Sequence, residues 1–336
     1  MRPTEALDEI AYLLERDLAS PYKTKAFRSA IIAIAPLSDD DIASKVADGS
    51  LKRTKGIGST TYTVIEQSVE GGVPDYLADL RERIGGPVTD AGQELRAQLK
   101  GDLHSHSTWS DGTTDLASMA RTARRLGHSY LVASDHSPSL TIANGLSTER
   151  LKKQLVELDG INAQLDDFRM LTGIEVDILL DGELDQSEEV LGRLDIVVAS
   201  VHSKLRMDSR EMTKRMLAAI RHPQSNVLGH CTGRLVQGGR GTRPQSTFDA
   251  ETVFAACAEN DVAVEINSRP ERQDPPDNLL MIAIEAGCLF SIDSDAHAPG
   301  QLGLLDLGAA RAEAHGIPAE RIVTSWPVDR LLEWAA

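Results

Sequence analysis

Apolar positions in residues 5–85 recur at helical spacing. Leu7, Ile10, Ala11, Leu13 and Leu14 form one stripe, and Ala26, Ala30, Ile31 and Ile34 form another that Pro36 stops. Ser38 ahead of Asp39–Asp41 predicts a capped helix start, where carboxylates suit the positive end of the dipole. Gly56-Ile57-Gly58 predicts a tight turn, and a helix over about Ser59–Val69 should follow until Gly71, Gly72 and Pro74 break it. Gly85, Gly86 and Pro87 open a predicted linker over residues 86–99, which separates a small all-α domain (1–85) from the rest (100–336).

Beyond residue 100 the pattern changes. Short apolar runs appear at Tyr130–Ala133, Met170–Ile174, Ile196–Val201, Val227–Leu228, Val262–Ile266 and Leu289–Ile292. Longer stretches of helical period separate them: Leu116–Leu126, Thr148–Leu165, Arg210–Ile220, Asp249–Glu259 and Asn278–Ala286. Repeated β-α alternation predicts a largely parallel sheet, and six or seven such units predict a closed or nearly closed barrel.

Composition narrows the function. Charged residues give 35 − 51 = −16, so the chain repels nucleic-acid phosphates unless cations gather on one surface. Aromatic residues are scarce at 4%, which limits stacking platforms for single strands. Bound divalent cations would offset part of the negative charge. Cys231, Cys257 and Cys288 are odd in number and widely spaced, which argues against a disulfide framework and for a reducing, cytoplasmic setting. Neither a signal-peptide pattern nor a long apolar run is visible, so no membrane association is expected.

The chemistry lies beside the apolar runs. Asp102-Leu103-His104-Ser105-His106, Ser134-Asp135-His136, Gly173-Ile174-Glu175, Ser200-Val201-His202, Gly229-His230 and Asp293-Ser294-Asp295-Ala296-His297 follow one another along the chain. The C-terminal strand ends of a β/α barrel converge on one face. His104 and His106 are two apart, so an extended backbone points both imidazoles to one side, and Asp295 and His297 repeat the spacing. A lone histidine at a strand end is more commonly a hydrogen-bonded core residue. A periodic set of them is not, because a core has no use for so many costly polar groups. Imidazole and carboxylate together suit zinc, manganese or iron. His128, His222 and His315 fall near loops or helix ends and read as structural or solvated.

In this order the motifs resemble those of the PHP (polymerase and histidinol phosphatase) family, over about residues 100–336. The resemblance implies a distorted, TIM-like β/α barrel of seven strands and a metal-dependent hydrolase with two or three divalent ions (Zn, Mn, Fe or Mg). It would place a first ion on His104, His106, Glu175 and Asp295. Glu175 would bridge to a second on His202 and His230, and Asp111, His136 and His297 would hold a third. Two cations sharing Glu175 can make hydroxide from a bound water near neutral pH. Lys204, Arg234 and Arg269 follow these motifs and are candidate phosphate contacts; otherwise they are solvated loop charges.

Residues 5–85 resemble the helix-hairpin-helix domain that opens family-X DNA polymerases, through A-L-D-E-I-A-Y-L-L-E, S-P-Y-K-T-K-A-F-R-S-A and K-G-I-G. The backbone of Gly56 and Gly58 could grip a DNA phosphate, with Lys52, Arg53, Lys55, Lys23 and Lys25 adding attraction. The polymerase portion is missing, so no DNA synthesis is expected. Val64 and Thr60 stand where lyase-active relatives carry lysines, and Tyr62 replaces a small hairpin residue, so lyase activity is not expected and DNA binding should be weak and non-specific. The expected function is phosphate-ester hydrolysis at DNA 3′ ends in repair, as a 3′–5′ exonuclease or a 3′-phosphatase. The alternatives are a small-molecule phosphatase such as a histidinol-phosphatase, or a non-catalytic DNA-repair adaptor.

Overall fold

The computed structural model describes residues 1–239 and 241–336. They form two compact units, Met1–Val88 and Thr89–Ala336.

The first unit is helical: α1 (Pro3–Arg16), α2 (Pro21–Ile34), α3 (Asp39–Ala47), α4 (Ser59–Val69) and α5 (Asp75–Ile84). The apolar stripes face inward, so that Leu7, Ile10, Phe27, Ala30, Ile34, Ile42, Ile65, Leu77 and Leu80 are buried. Ser38 caps α3 by accepting from the Asp41 amide at 3.1 Å. Arg28 is spent internally: it pairs with Asp8 at 2.6 Å and Glu15 at 2.7 Å. Gly56 needs to be glycine on two counts, since its φ is +95° and a Cβ would lie 3.1 Å from the Ser29 carbonyl oxygen.

The second unit starts before the expected boundary. Helix α6 (Gln93–Arg96) lies within the segment read as linker. Leu95 and Leu99 are buried in the same cluster as Val197 and Val264. The Lys100 amide donates to the Thr324 carbonyl at 2.7 Å. Residues 89–99 therefore belong to the second unit, because their leucines complete its core.

The chain then alternates: α7 (Leu116–Arg125), β1 (Tyr130–Ala133), α8 (Thr148–Asn162), β2 (Arg169–Asp177), α9 (Glu188–Leu191), β3 (Ile196–Ser200), α10 (Ser209–Ile220), β4 (Val227–Leu228), α11 (Ala250–Glu259), β5 (Ala263–Asn267), α12 (Asp277–Glu285), β6 (Phe290–Asp293), α13 (Leu305–Ala314) and α14 (Val328–Ala335). Among the described residues six strands form one sheet, all parallel and in chain order. The expected seventh strand is instead an extended segment. Residues 100–106 hydrogen-bond to β1 through Val132 N to Asp102 O (3.0 Å) and Ser134 N to Ser105 O (3.0 Å). Ser105 also bridges Ala296, just past β6. The sheet is thus curled enough for one segment to touch both its edges. Side chains as well as backbone hold this segment, with Asp293 accepting from the Leu103 amide at 2.8 Å.

Strand periodicity divides the inner face of the sheet. Tyr130, Val132, Leu171, Ile196, Val198, Val227 and Ala263 form one apolar cluster, with Val323, Trp326 and Leu331 packed on it. The same period continued along β2 and β5 reaches Glu175, Asp177, Glu265 and Asn267. The inner face is therefore apolar at the N-terminal strand ends and ionisable at the C-terminal ends. Gly173 lies at the change: a Cβ there would meet Val132 Cγ1 at 2.4 Å and the Ile196 carbonyl oxygen at 2.8 Å.

Candidate metal centre

β2 runs past its apolar stretch to Asp177, which puts Glu175 inside the strand and almost wholly buried. Both of its oxygens face imidazoles. Oε2 lies 3.3 Å from His104 Nε2, 3.6 Å from His106 Nε2 and 2.7 Å from His136 Nδ1. Oε1 lies 3.2 Å from His202 Nε2 and 2.8 Å from His230 Nε2. Asp111 makes a second focus, its Oδ1 3.3 Å from His297 Nε2, 3.5 Å from His136 Nε2 and 3.9 Å from His106 Nδ1. Asp295 Oδ1 is 3.4 Å from His106 Nε2. All nine residues singled out by their motifs thus converge on one cluster.

Three groups in the cluster are tight enough to share an ion: His106 with Asp111, His136 and His297; His104 with His106 and Glu175; His136 with Glu175 and His202. His106 and His136 each belong to two groups, so the distribution is less partitioned than the resemblance implied. The donor chemistry fits divalent cations. His104 Nε2, both His106 nitrogens, His136 Nδ1, His202 Nε2 and both Glu175 oxygens are buried without a hydrogen-bond partner. So many unpaired polar atoms are costly in a core and become favourable when their lone pairs share a cation.

Charge within the cluster is strongly coupled. Burial pushes the Glu175 carboxyl up, but His104, His202 and His136 outweigh it and hold it well below the usual carboxylate range. Burial likewise opposes ionisation of Asp295, and Arg272 and Arg269 overcome it. His106 is driven well below the usual imidazole range by burial and by His297 and His136, which favours its neutral, ligating form.

A supporting shell went unnoticed in the sequence. Glu265 meets His104 Nδ1 at 2.6 Å and also accepts from the His230 amide. Asp177 meets His202 Nδ1. Each carboxylate can accept a hydrogen bond from an Nδ1–H, which leaves Nε2 unprotonated to face Glu175. Arg272 donates to Asp295 Oδ2 at 2.9 Å. Asp295 itself has φ of +50°, an unusual backbone for aspartate. Two signals could have revealed the shell. Glu265 interrupts an apolar strand run, and Asp177 is two residues beyond Glu175 on the same strand.

The candidate phosphate contacts fare differently. Arg269 reaches the cluster, with Nη1 3.0 Å from His297 Nδ1, while Glu271 holds the other side of its guanidinium at 2.6 Å. Arg234 turns part of its guanidinium elsewhere, donating to the carbonyls of Arg272 and Gln273 and bracing that loop. Lys204 is exposed, two residues beyond His202, on a left-handed backbone with φ of +53°. In the first unit Lys23, Lys25, Lys52, Arg53 and Lys55 are exposed. Gly58 is the N-cap residue of α4. Lys52 Nζ lies 4.5 Å over the Tyr62 ring, whose hydroxyl donates to Glu66 at 3.0 Å.

Residues 102–269 match the PHP domain model, half of the chain. The chain belongs to the PHP-domain family. With this membership and its cluster of nitrogen and oxygen donors, it is a metal-dependent phosphoesterase, a hydrolase. Among similar proteins, the DNA polymerase/3′-5′ exonuclease PolX of Bacillus subtilis is 39% identical over 67% of this chain. The match covers 41% of that longer protein, so the chain spans well under half of it. A probable phosphatase of Aliivibrio fischeri is 28% identical over 67% of this chain and 88% of its own length. A solved structure, the histidinol phosphate phosphatase of Lactococcus lactis with zinc, L-histidinol and phosphate, is 18% identical, covers 64% of this chain and 93% of its own, and superposes with a TM-score of 0.47. Among the described residues no helix is long and apolar enough to cross a membrane.

Proposed function

We propose that this PHP protein hydrolyses phosphate esters at DNA 3′ ends, as a 3′–5′ exonuclease or a 3′-phosphatase, and synthesises no DNA. The observation that carries the reading is Glu175, whose two oxygens each face a separate set of imidazoles. That arrangement suits a carboxylate shared between two ions, with His104, His106 and Asp295 on one side and His202 and His230 on the other. Asp111, His136 and His297 would hold a third. When bound, divalent ions supply Lewis acidity, which polarises a phosphoryl oxygen and makes a water nucleophilic near neutral pH.

The chain's own residues do the rest. Glu265 and Asp177 fix the tautomers of His104 and His202. Arg272 keeps Asp295 ionised and oriented. Arg269, beside His297, offers a cation to a phosphate oxygen. The DNA assignment is supported by the exposed cations around Gly56–Gly58 and by the exonuclease named in the Bacillus subtilis relative. One observation favours a small-molecule phosphatase instead: the probable phosphatase of Aliivibrio fischeri matches this chain over 88% of its own length, whereas the Bacillus subtilis relative matches over 41% of its own.

The test is an assay panel of 3′-tailed DNA, 3′-phosphate DNA and histidinol phosphate, each with manganese, zinc and magnesium. The proposal expects turnover of a DNA substrate that stops on chelation. Turnover of histidinol phosphate alone moves the assignment to the small molecule. Loss of every activity in fully metallated protein leaves a non-catalytic adaptor.

A further inference from the structure

Asp135 lies beside the metal centre yet points away from it. Its carboxylate is buried and accepts from two elements at once. Oδ1 takes the amides of Ser107 at 2.9 Å and Ser110 at 3.0 Å, and the Ser110 hydroxyl. Oδ2 takes the Ser107 hydroxyl at 2.8 Å and the Gln154 amide nitrogen at 2.6 Å. Gln154 comes from α8 and is fully buried. Main-chain bonds join the same point to β2, where the Glu175 amide donates to the Ser134 carbonyl at 3.0 Å and the Asp135 carbonyl at 3.2 Å.

The serines it grips begin the loop that carries Asp111. Asp111 differs from the other candidate ligands in lying on this loop, outside both the sheet and the extended segment 100–106 that carries His104 and His106, and its side chain is 36% exposed. Nothing in a strand ladder sets its position. The loop is closed locally by Gly112 N to Ser107 O at 2.9 Å, so gripping Ser107 and Ser110 places Asp111 relative to His136, the neighbour of Asp135.

We propose that Asp135 is a positioning residue: by stapling the Ser107–Ser110 loop to the end of β1, it presets Asp111 against His106, His136 and His297 for one of the bound ions. The inference rests on the metal reading above. It also distinguishes the hydrogen bonds of Asp135 from its charge. In Asp135→Asn, Nδ2 can replace Oδ2. Gln154 can then turn its amide, because its Oε1 has no partner in the present arrangement, and the Ser107 hydroxyl can accept instead of donate. The staple should survive in Asn and be lost in Ala.

The experiment counts ions per chain by elemental analysis and titrates zinc or manganese into chelated protein, with circular dichroism and melting temperature as controls. Wild type that takes up no metal would sink the metal reading itself, whatever Asp135 does. With metal in wild type, Asp135→Ala should weaken one ion by about tenfold to a hundredfold and spare the others, while Asp135→Asn keeps it. Metal uptake by Asp135→Ala equal to wild type overturns the proposal, and so does an Asn variant as impaired as Ala. Should Asp135→Ala fail to fold, the double variant Ser107→Ala, Ser110→Ala removes the two hydroxyl donors to Asp135, with the acceptor for the Trp109 amide and the 3.4 Å contact from Ser110 to Asp111, and keeps both backbone amides. It should weaken the same single ion in part, and unchanged binding there counts against the staple.

Discussion

At the scale of single residues, Glu175 and His128 show two opposite ways of burying an ionisable group. Glu175 stays charged because the imidazoles of His104, His202 and His136 surround it and outweigh its burial. Glu175→Gln keeps the shape but removes the charge that would offset repulsion between ions. Turnover should fall by about a hundredfold or more with loss of metal, measured as kcat beside ion content. Near-normal turnover would exclude the bridging role. His128 stays neutral instead. Burial and the nearby Arg96 push its pKa down to about 3, and Arg96 Nη2 lies 3.3 Å from its Nε2. In the unfolded chain an imidazole titrates near ~6.5. Between these values the unfolded state binds the extra proton. The contribution of neutral His128 is therefore complete above the unfolded value and drains as pH falls toward the folded one, by about tenfold in the folding equilibrium per pH unit. His128→Gln keeps an acceptor for Arg96 without a titrating proton. Denaturant melts from pH 7 to pH 4 should show a shallower acid loss in this variant, and parallel losses in both proteins would mean that His128 is not the source.

At the scale of elements, the turn between α3 and α4 carries the DNA question. Lys52, Arg53 and Lys55 are exposed beside the start of α4. Their joint replacement by Ala should flatten the salt dependence of DNA binding by up to about three ion equivalents. It should slow DNA hydrolysis and leave a small phosphate ester untouched, and equal DNA affinity in the two proteins would make the turn purely structural. What was legible at this scale depended on whether a backbone rule applied. The helices showed because their stripes repeat at one period, and Gly56 showed because few residues tolerate its φ. The nine candidate ligands showed because costly polar types recur beside apolar runs. The carboxylates behind them did not: Glu265, Asp177 and Asp135 act through partners distant in sequence, and their role exists only once strands are neighbours. The extended backbone of residues 100–106 was legible in the spacing of His104 and His106, but the side chains that help hold it, such as Asp293, leave no local pattern. The carbonyl contacts of Arg234 were not legible, because an arginine after a motif looks the same whether or not it braces a backbone loop.

At the scale of the whole molecule, the division at residue 88 sets where the catalytic unit can be cut. Composition suggested a linker through residue 99, since glycine and proline open it and charges fill it. Core packing says otherwise. Leu95 is 6% exposed and Leu99 is 3% exposed, both within the cluster that backs the sheet. The Gly92 amide donates to Glu313 at 2.9 Å, and a Cβ on Gly92 would lie 2.4 Å from the Ala310 nitrogen, so this segment lies directly on α13. Lys100 continues the attachment on both sides, with its amide on Thr324 and its carbonyl accepting from Ser129 at 2.6 Å. A fragment beginning at Thr89 keeps all of these contacts. One beginning at residue 101 loses two buried leucines, each contributing about 1.5–3 kcal/mol, and uncovers part of the core. The longer fragment should therefore fold, bind metal and hydrolyse a small generic phosphate ester at the full-length rate. The shorter one should melt at a clearly lower temperature or aggregate, because its loss is comparable to the net stability of a typical domain. Matched denaturant melts of the two fragments decide it: equal midpoints would show that residues 89–100 are a tether, and a longer fragment that fails to fold would show that the catalytic unit depends on residues 1–88.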